Sequence, residues 1–282
     1  MMAQALAVHR SRALIPEFTL HRPATLAQAC ALLNEYGDAA TVMAGGIDLI
    51  SRMKSGSGFA HVVALWDVVE LHGTHLRADR IEIGAATSHR AVATDALIKS
   101  RLPAVADYVA NLGNIRIRCQ GTIGGNIMAD EPGYEMLALL LVLDATLHFC
   151  DPATGAARPV SARDLAASAV PPRSHGLLIS ISIPLAPLKI VCNRDLRPAL
   201  ALVAGVAWPS GGAALIGAHR RTVWAPLALE PDATVETAAA RWAAALPAPQ
   251  LSADAGYARR VGAVLLRRAL CEMGLAETGL PA

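Results

Sequence analysis

A chain of 282 residues with a hydrophobic fraction of 54% has enough apolar material for one large domain or two ordinary ones, which argues against intrinsic disorder. Lys and Arg number 25 and Asp and Glu 23, so the formal charge of +2 lacks the clustered basic excess of a nucleic-acid binder. Mean hydropathy is +0.39, yet the longest apolar run, Met136 to Leu143, falls far short of the roughly 20 residues that span a bilayer, so no membrane insertion is expected.

At the N-terminus, His9, Arg10 and Arg12 are followed by no apolar stretch before Pro16 and Glu17, so no secretory signal is predicted. Residues 24–36 carry apolar side chains at helical spacing, with Thr25 as N-cap and Gly37 just past the end. A short strand over 39–44 runs into Gly45-Gly46, and residues 62–66 and 81–85 read as further strands. A helical stretch begins at Thr87, and a second helix covers Pro103 to Leu112. Ile115 to Asn126 is punctuated by Gly121, Gly124 and Gly125. A helix over Met136–Leu143, a strand over Thr146–Cys150, a turn over Asp151–Gly155 and a strand over Leu178–Ile183 follow. Pro184 to Lys189 is the expected domain boundary. Beyond it, strands over Ala199–Trp208 and Ala213–Ala218 flank a hairpin turn at Gly211-Gly212, and helices cover Thr234–Ala245 and Gly256–Met273. The whole reads as α+β, in domains 1–186 (subdomains about 1–70 and 71–186) and 187–282.

The five cysteines, Cys30, Cys119, Cys150, Cys192 and Cys271, are scattered, odd in number and free of any CxxC pair. Neither a zinc site nor an iron–sulfur cluster held by this chain alone is expected, and reduced thiols in a cytoplasmic protein, each a small buried hydrophobe, are the simplest reading. Ser161, Ser168 and Ser174 lie outside any G-x-S-x-G elbow, and Gly73 interrupts the spacing of His72 and His75, so neither hydrolase chemistry nor a metal pair is predicted. His89 reads as a core or capping histidine, and Arg194-Asp195 as a surface ion pair.

Two segments carry chemistry: Ala44-Gly45-Gly46-Ile47-Asp48 and Gly121-Thr122-Ile123-Gly124-Gly125-Asn126. Paired glycines after a strand permit positive φ and let successive backbone N–H groups approach an anion unobstructed. Two such turns about 80 residues apart suit a diphosphate gripped from two sides, whereas either alone reads more simply as a tight turn. Neither matches G-x-G-x-x-G or GxxxxGK[ST], so the residues themselves reach only a phosphate-bearing cofactor.

Ala44-Gly45-Gly46-Ile47-Asp48-Leu49 resembles the AGGTDL turn, and Ile115 to Asn126 resembles the IRNxGTIGGN segment, of the FAD-binding medium subunit of molybdenum hydroxylases. This is the carbon monoxide dehydrogenase medium-subunit and xanthine dehydrogenase flavin-domain family. Ile15-Pro16-Glu17-Phe18, Ile83-Gly84-Ala85-Ala86-Thr87 and Val264 to Ala269 extend the similarity over most of the chain. The resemblance implies a flavin-binding fold of the vanillyl-alcohol-oxidase type, two α+β subdomains clasping FAD, followed by a smaller C-terminal α+β domain. It assigns Ala44, Gly45, Gly46, Ile47 and Asp48 to one pyrophosphate wall and Thr122, Ile123, Gly124, Gly125 and Asn126 to the other. Glu135 falls at the position that binds the adenosine ribose, where the residues equally allow an acid favouring its own helix dipole. Leu178 would pack against flavin or adenine, and His89, at a position matching the family's Thr-Ser/Thr-His helix start, would cap that helix or pack near the cofactor. Lys189 would lie near the isoalloxazine or be a solvated linker lysine.

The resemblance further implies electron transfer without a catalytic acid or base in this chain. Electrons would pass from the two [2Fe–2S] clusters of a small subunit, fed by a large molybdopterin subunit, through FAD to an external acceptor. Three departures stand out: Ile47 replaces the usual Thr or Ser, Glu135 the usual Asp, and Cys119 the usual Asn. They leave open a second reading, a scaffold subunit that has lost its flavin.

Overall fold

The computed structural model describes residues 15–131, 134–185, 189–194, 201–207, 210–216, 222–229, 234–246 and 255–274; the N-terminal stretch read for a signal lies outside them. The first unit is a three-stranded parallel sheet, order β1-β3-β2, built from β1 (Thr19–His21), α1 (Leu26–Tyr36), β2 (Ala40–Met43), α2 (Ile47–Lys54) and β3 (His61–Ala64). Helix α1 starts where Thr25 Oγ1 accepts the amide of Gln28 at 3.2 Å, and it stops at Gly37, whose φ of +47° no ordinary side chain favours. Helix α2 follows Gly46 directly, with no capping side chain. Its buried Leu49 and Met53 stand four apart, as do the ion-paired Asp48 and Arg52, 2.8 Å from each other.

The second unit holds β4 (Thr74–Arg77), β5 (Arg80–Gly84), α3 (His89–Thr94), α4 (Ala96–Arg101), α5 (Pro103–Ala110), α6 (Ile115–Gln120), α7 (Ile123–Met128), α8 (Met136–Val142), β6 (Thr146–Cys150), β7 (Ala157–Ser161), α9 (Ala162–Ala167) and β8 (Leu177–Pro184). Its five strands are antiparallel throughout in the order β4-β5-β8-β6-β7, with one irregularity between His148 and Phe149. Ile81, Ile83, Leu147, Phe149, Ile181 and Ile183 come from its three inner strands and share one core with Met136, Leu139 and Leu140 of α8. That burial explains the apolar run of α8, and no helix among the described residues is long and apolar enough to cross a membrane.

The third unit is an antiparallel sheet, order β12-β11-β10-β9, of β9 (Lys189–Arg194), β10 (Ala201–Ala207), β11 (Ser210–Ile216) and β12 (Val223–Ala228), with α10 (Val235–Ala245) and α11 (Ala255–Glu272). Trp242 is buried at its centre and donates from Nε1 to the carbonyls of Ala213 and Ala225 at 3.3 and 3.2 Å.

Several sequence expectations need correction. Gly211 and Gly212 are not the hairpin turn: they lie inside β11, and Ala207 pairs with Ser210 across residues 208–209, which are outside the described residues. The reason is a close approach, because a Cβ on Gly212 would sit 2.8 Å from Trp224 Nε1. The glycine-punctuated stretch from Ile115 to Asn126 forms two short helices, α6 and the start of α7, begun by the Asn114 and Thr122 side chains. Lys189 opens a strand, and Asp195 lies outside the described residues. The cysteines differ too: Cys30 and Cys150 are buried with their sulfurs 3.5 Å apart, whereas Cys119 is exposed and Cys271 half-buried. Among the described residues no three potential metal ligands gather.

Candidate functional site

The two glycine turns meet. A Cβ on Gly45 would overlap the carbonyl oxygen of Gln120 and stand 2.6 Å from its carbon and 3.0 Å from Gly121 Cα, so backbone lies directly on backbone. Trp66 Nε1 donates to the Ala44 carbonyl at 2.6 Å and fixes the first turn from behind. Gly46 adopts φ +73°, the left-handed conformation that turns the chain from β2 into α2.

Around this junction opens a cleft of about 1030 Å³, at the upper end of the roughly 300–1,000 Å³ usual for ligand pockets. Ala44, Gly45, Gly46, Ile47 and Asp48 line one side. Thr122, Gly124, Gly125, Asn126, Glu135 and Leu178 also line it. Ile123 does not; its side chain is 1% exposed in the core. Lys189 pairs with Val206 at the start of β9, and its side chain is outside the described residues.

The two turns differ in what their amides offer. In the second, the amide of Ile123 donates to Thr87 O, Gly124 to Ala85 O, Gly125 to Thr122 Oγ1, and Asn126 to Thr122 O. These amides are engaged in holding α7 against the end of β5, and Gly124 is glycine because a Cβ would lie 2.7 Å from the Ala85 carbonyl. Of the amides of Thr122 to Asn126, only that of Thr122 has no hydrogen-bond partner among the described residues. In the first turn, the amides of Gly45, Gly46, Ile47 and Asp48 have no hydrogen-bond partner among the described residues. They sit at the N-terminus of α2, where the unpaired amides and helix dipole favour an anion.

The side chains complete the chemistry. Arg52, tied to Asp48, and Arg173 are the arginines of the described lining. Tyr134 also lines the cleft; burial first, and then the Asp48 carboxylate, raises its phenol pKa. The Asn126 Oδ1 accepts the amide of Met136 at 3.2 Å and so starts α8. Glu135 occupies the N-cap position of α8 without capping it, and the Tyr108 hydroxyl donates to its carbonyl at 3.2 Å. His89, read from the sequence as a core or capping residue, is not the cap, since Ser88 Oγ accepts the Ala91 amide. It lines the cleft at 2% exposure, and burial pulls its pKa down to about 4. No spacing signal marked Arg173 or Tyr134 as neighbours of the turns, because they arrive from separate elements.

Residues 16–186 match the family described as the FAD binding domain in molybdopterin dehydrogenase. The carbon monoxide dehydrogenase medium chain of Afipia carboxidovorans is 36% identical over 148 residues, which are 52% of this chain and 51% of that protein. The chain thus spans about half the length of the curated relatives it matches. Among solved structures, a Cu,Mo-CO dehydrogenase in its cyanide-inactivated form has a chain that is 29% identical at a TM-score of 0.76, over 91% of this chain and 98% of that one. The carbon monoxide dehydrogenase of Hydrogenophaga pseudoflava that lacks the Mo-pyranopterin moiety shares the fold, with a TM-score of 0.79 over 92% of this chain and 97% of that one, at 23% identity.

Proposed function

This chain belongs to the family of FAD-binding domains in molybdopterin dehydrogenases, and from that premise we propose that it is the electron-transferring medium subunit of a heteromeric molybdenum hydroxylase. Its partners are a molybdopterin-binding large subunit and a small subunit with [2Fe–2S] clusters, as the medium-chain naming of its relatives supports. Electrons pass from those clusters through this chain to an external acceptor, in the cytoplasm. The cleft region is a flavin-binding domain of the vanillyl-alcohol-oxidase type over 1–186, with subdomains about 1–70 and 71–186, followed by a C-terminal α+β domain over 187–282.

One observation carries the cofactor reading: four unpartnered amides, Gly45 to Asp48, face a cleft of dinucleotide size at a helix N-terminus. They hold the diphosphate, and the Thr122 hydroxyl, which accepts the Gly125 amide, keeps its proton to donate. Glu135 accepts from ribose hydroxyls, and Leu178 gives a ring an apolar wall. FAD, when bound, supplies the ring that takes up and releases electrons, while this chain orients it and excludes water. The alternative reading, a scaffold subunit of the same complex that has lost FAD, is separated from this one by the flavin titration below.

Titrating FAD into the purified full chain tests this. Stoichiometric uptake with a yellow absorbance is expected, and electron transfer to an acceptor only when partner subunits are added. A chain that stays colourless after reconstitution overturns the cofactor reading; substrate turnover by the chain alone overturns the subunit reading.

A further inference from the structure

His89 is the strongest unexplained group in the cleft. Its Nδ1 is fully buried with no hydrogen-bond partner, and no described residue bonds its Nε2 either. Native interiors rarely leave polar atoms unpaired; Nδ1 is sealed from the cleft, so the nitrogen open to a cleft ligand is Nε2, which is not among the sealed atoms and has no described partner. The ring's position is not accidental packing. The His89 amide donates to the Gly121 carbonyl at 3.0 Å, and a Cβ on Gly121 would stand 3.2 Å from the ring's Cδ2 and 3.5 Å from Nε2. Gly121 makes room first for the Ile117 carbonyl, 2.7 Å from such a Cβ, and then for the imidazole, and the same Gln120–Gly121 backbone is what Gly45 abuts. The imidazole lies against the second turn just where the first turn, with its free amides, packs on it.

We infer that the His89 imidazole hydrogen-bonds to the bound FAD, donating from one ring nitrogen to an oxygen of the diphosphate held by Gly45 to Asp48. This rests on the FAD reading above. The second turn, whose Ile123 to Asn126 amides are engaged, thus contributes to the anion chiefly through the side chain it supports. Burial keeps the ring neutral, so it has one N–H to give and one lone pair to accept.

The experiment measures the FAD dissociation constant of the full-length chain and of His89→Phe, His89→Gln and His89→Asn. The Gln amide overlays Nε2 and the Asn amide overlays Nδ1. Expected is a loss of about tenfold or more for His89→Phe, a scale set by one hydrogen bond to a charged acceptor, and restoration by one of the two amides. Should His89→Phe bind like the parent, or should neither amide restore binding, the inference is overturned while the FAD reading stands. A parent chain that takes up no FAD overturns both. Because a variant can misfold, ¹⁵N NMR of the parent's His89 ring provides the second readout: a ring-nitrogen shift on FAD addition supports the bond, and an unmoved signal overturns it.

Discussion

Replacing Gly45 by Ala tests the junction on which the cleft depends. The new methyl would lie 2.6 Å from the Gln120 carbonyl carbon and 3.0 Å from Gly121 Cα, both backbone atoms that no rotamer change can withdraw. An ordinary carbon–carbon contact near 3.5 Å requires the two turns to part by at least about 0.9 Å, and clearing the overlapped Gln120 oxygen requires more. Overpacking of this kind costs about 1–3 kcal/mol, and rigid neighbours put Gly45→Ala at the upper end. The lower unfolded-state entropy of Ala returns at most about 1 kcal/mol. A net loss of about 2–3 kcal/mol corresponds to a fall in Tm of roughly 5–10 °C for a chain of this size. FAD affinity should fall at least about tenfold, because the amide cradle moves with the turn. Gly58→Ala is the control: a Cβ there meets nothing within 4 Å, so its Tm should stay within about 2 °C. Calorimetry and flavin titration on both variants decide it. If Gly45→Ala melts and binds like Gly58→Ala, the two turns are not in backbone contact and the account of the cleft fails.

Ile47→Thr restores a hydroxyl at the mouth of the free amides and should tighten FAD binding by about tenfold, measured by flavin fluorescence. Burial lowers the His89 pKa from 6.5 to about 4, so the unfolded chain binds the proton that the folded chain refuses. Its contribution is therefore full above pH 6.5 and is lost as pH falls toward 4, on the order of 3 kcal/mol. Chemical denaturation at pH 7 and pH 4.5 should show a smaller loss for His89→Gln than for the parent. Thr122→Ala removes the cap of α7 and should cost about 1 kcal/mol by denaturant midpoint, with Thr122→Ser near neutral. Alkylation at pH 8 followed by mass spectrometry should modify exposed Cys119 well before Cys30, whose thiol burial pushes up to about 12 with help from Cys150.

The sequence made α1 legible because both of its ends carry local signals, Thr25 and Gly37, and the core strands legible because apolar alternation persists wherever one face is covered. Helix α2 was not, since eight residues with no capping side chain start on a left-handed glycine and are held by Leu49 and Met53 packing elsewhere. The Gly211-Gly212 pair misled because glycine marks a close approach as readily as a turn, and the side chain it makes room for, Trp224, comes from the next strand. The same ambiguity governed the candidate site. That two glycine turns face one cleft was readable from the paired-glycine motifs and the resemblance. Which amides remain free was not, because Ala85 and Thr87, from a strand end some 35 residues earlier in the chain, take up those of Gly124 and Ile123.

Strand β8 sits at the centre of its sheet, bonded to β5 on one side and β6 on the other, yet it is the last of the five to leave the ribosome. Until Leu177–Pro184 is synthesised, the hairpins β4–β5 and β6–β7 each carry a bare inner edge, and bare edges recruit foreign strands. Nascent chains shorter than about 184 residues should thus be the aggregation-prone ones, and closure of this domain is a late event with high contact order. A split of the protein for expression in two pieces belongs after Pro184, never between β6 and β8.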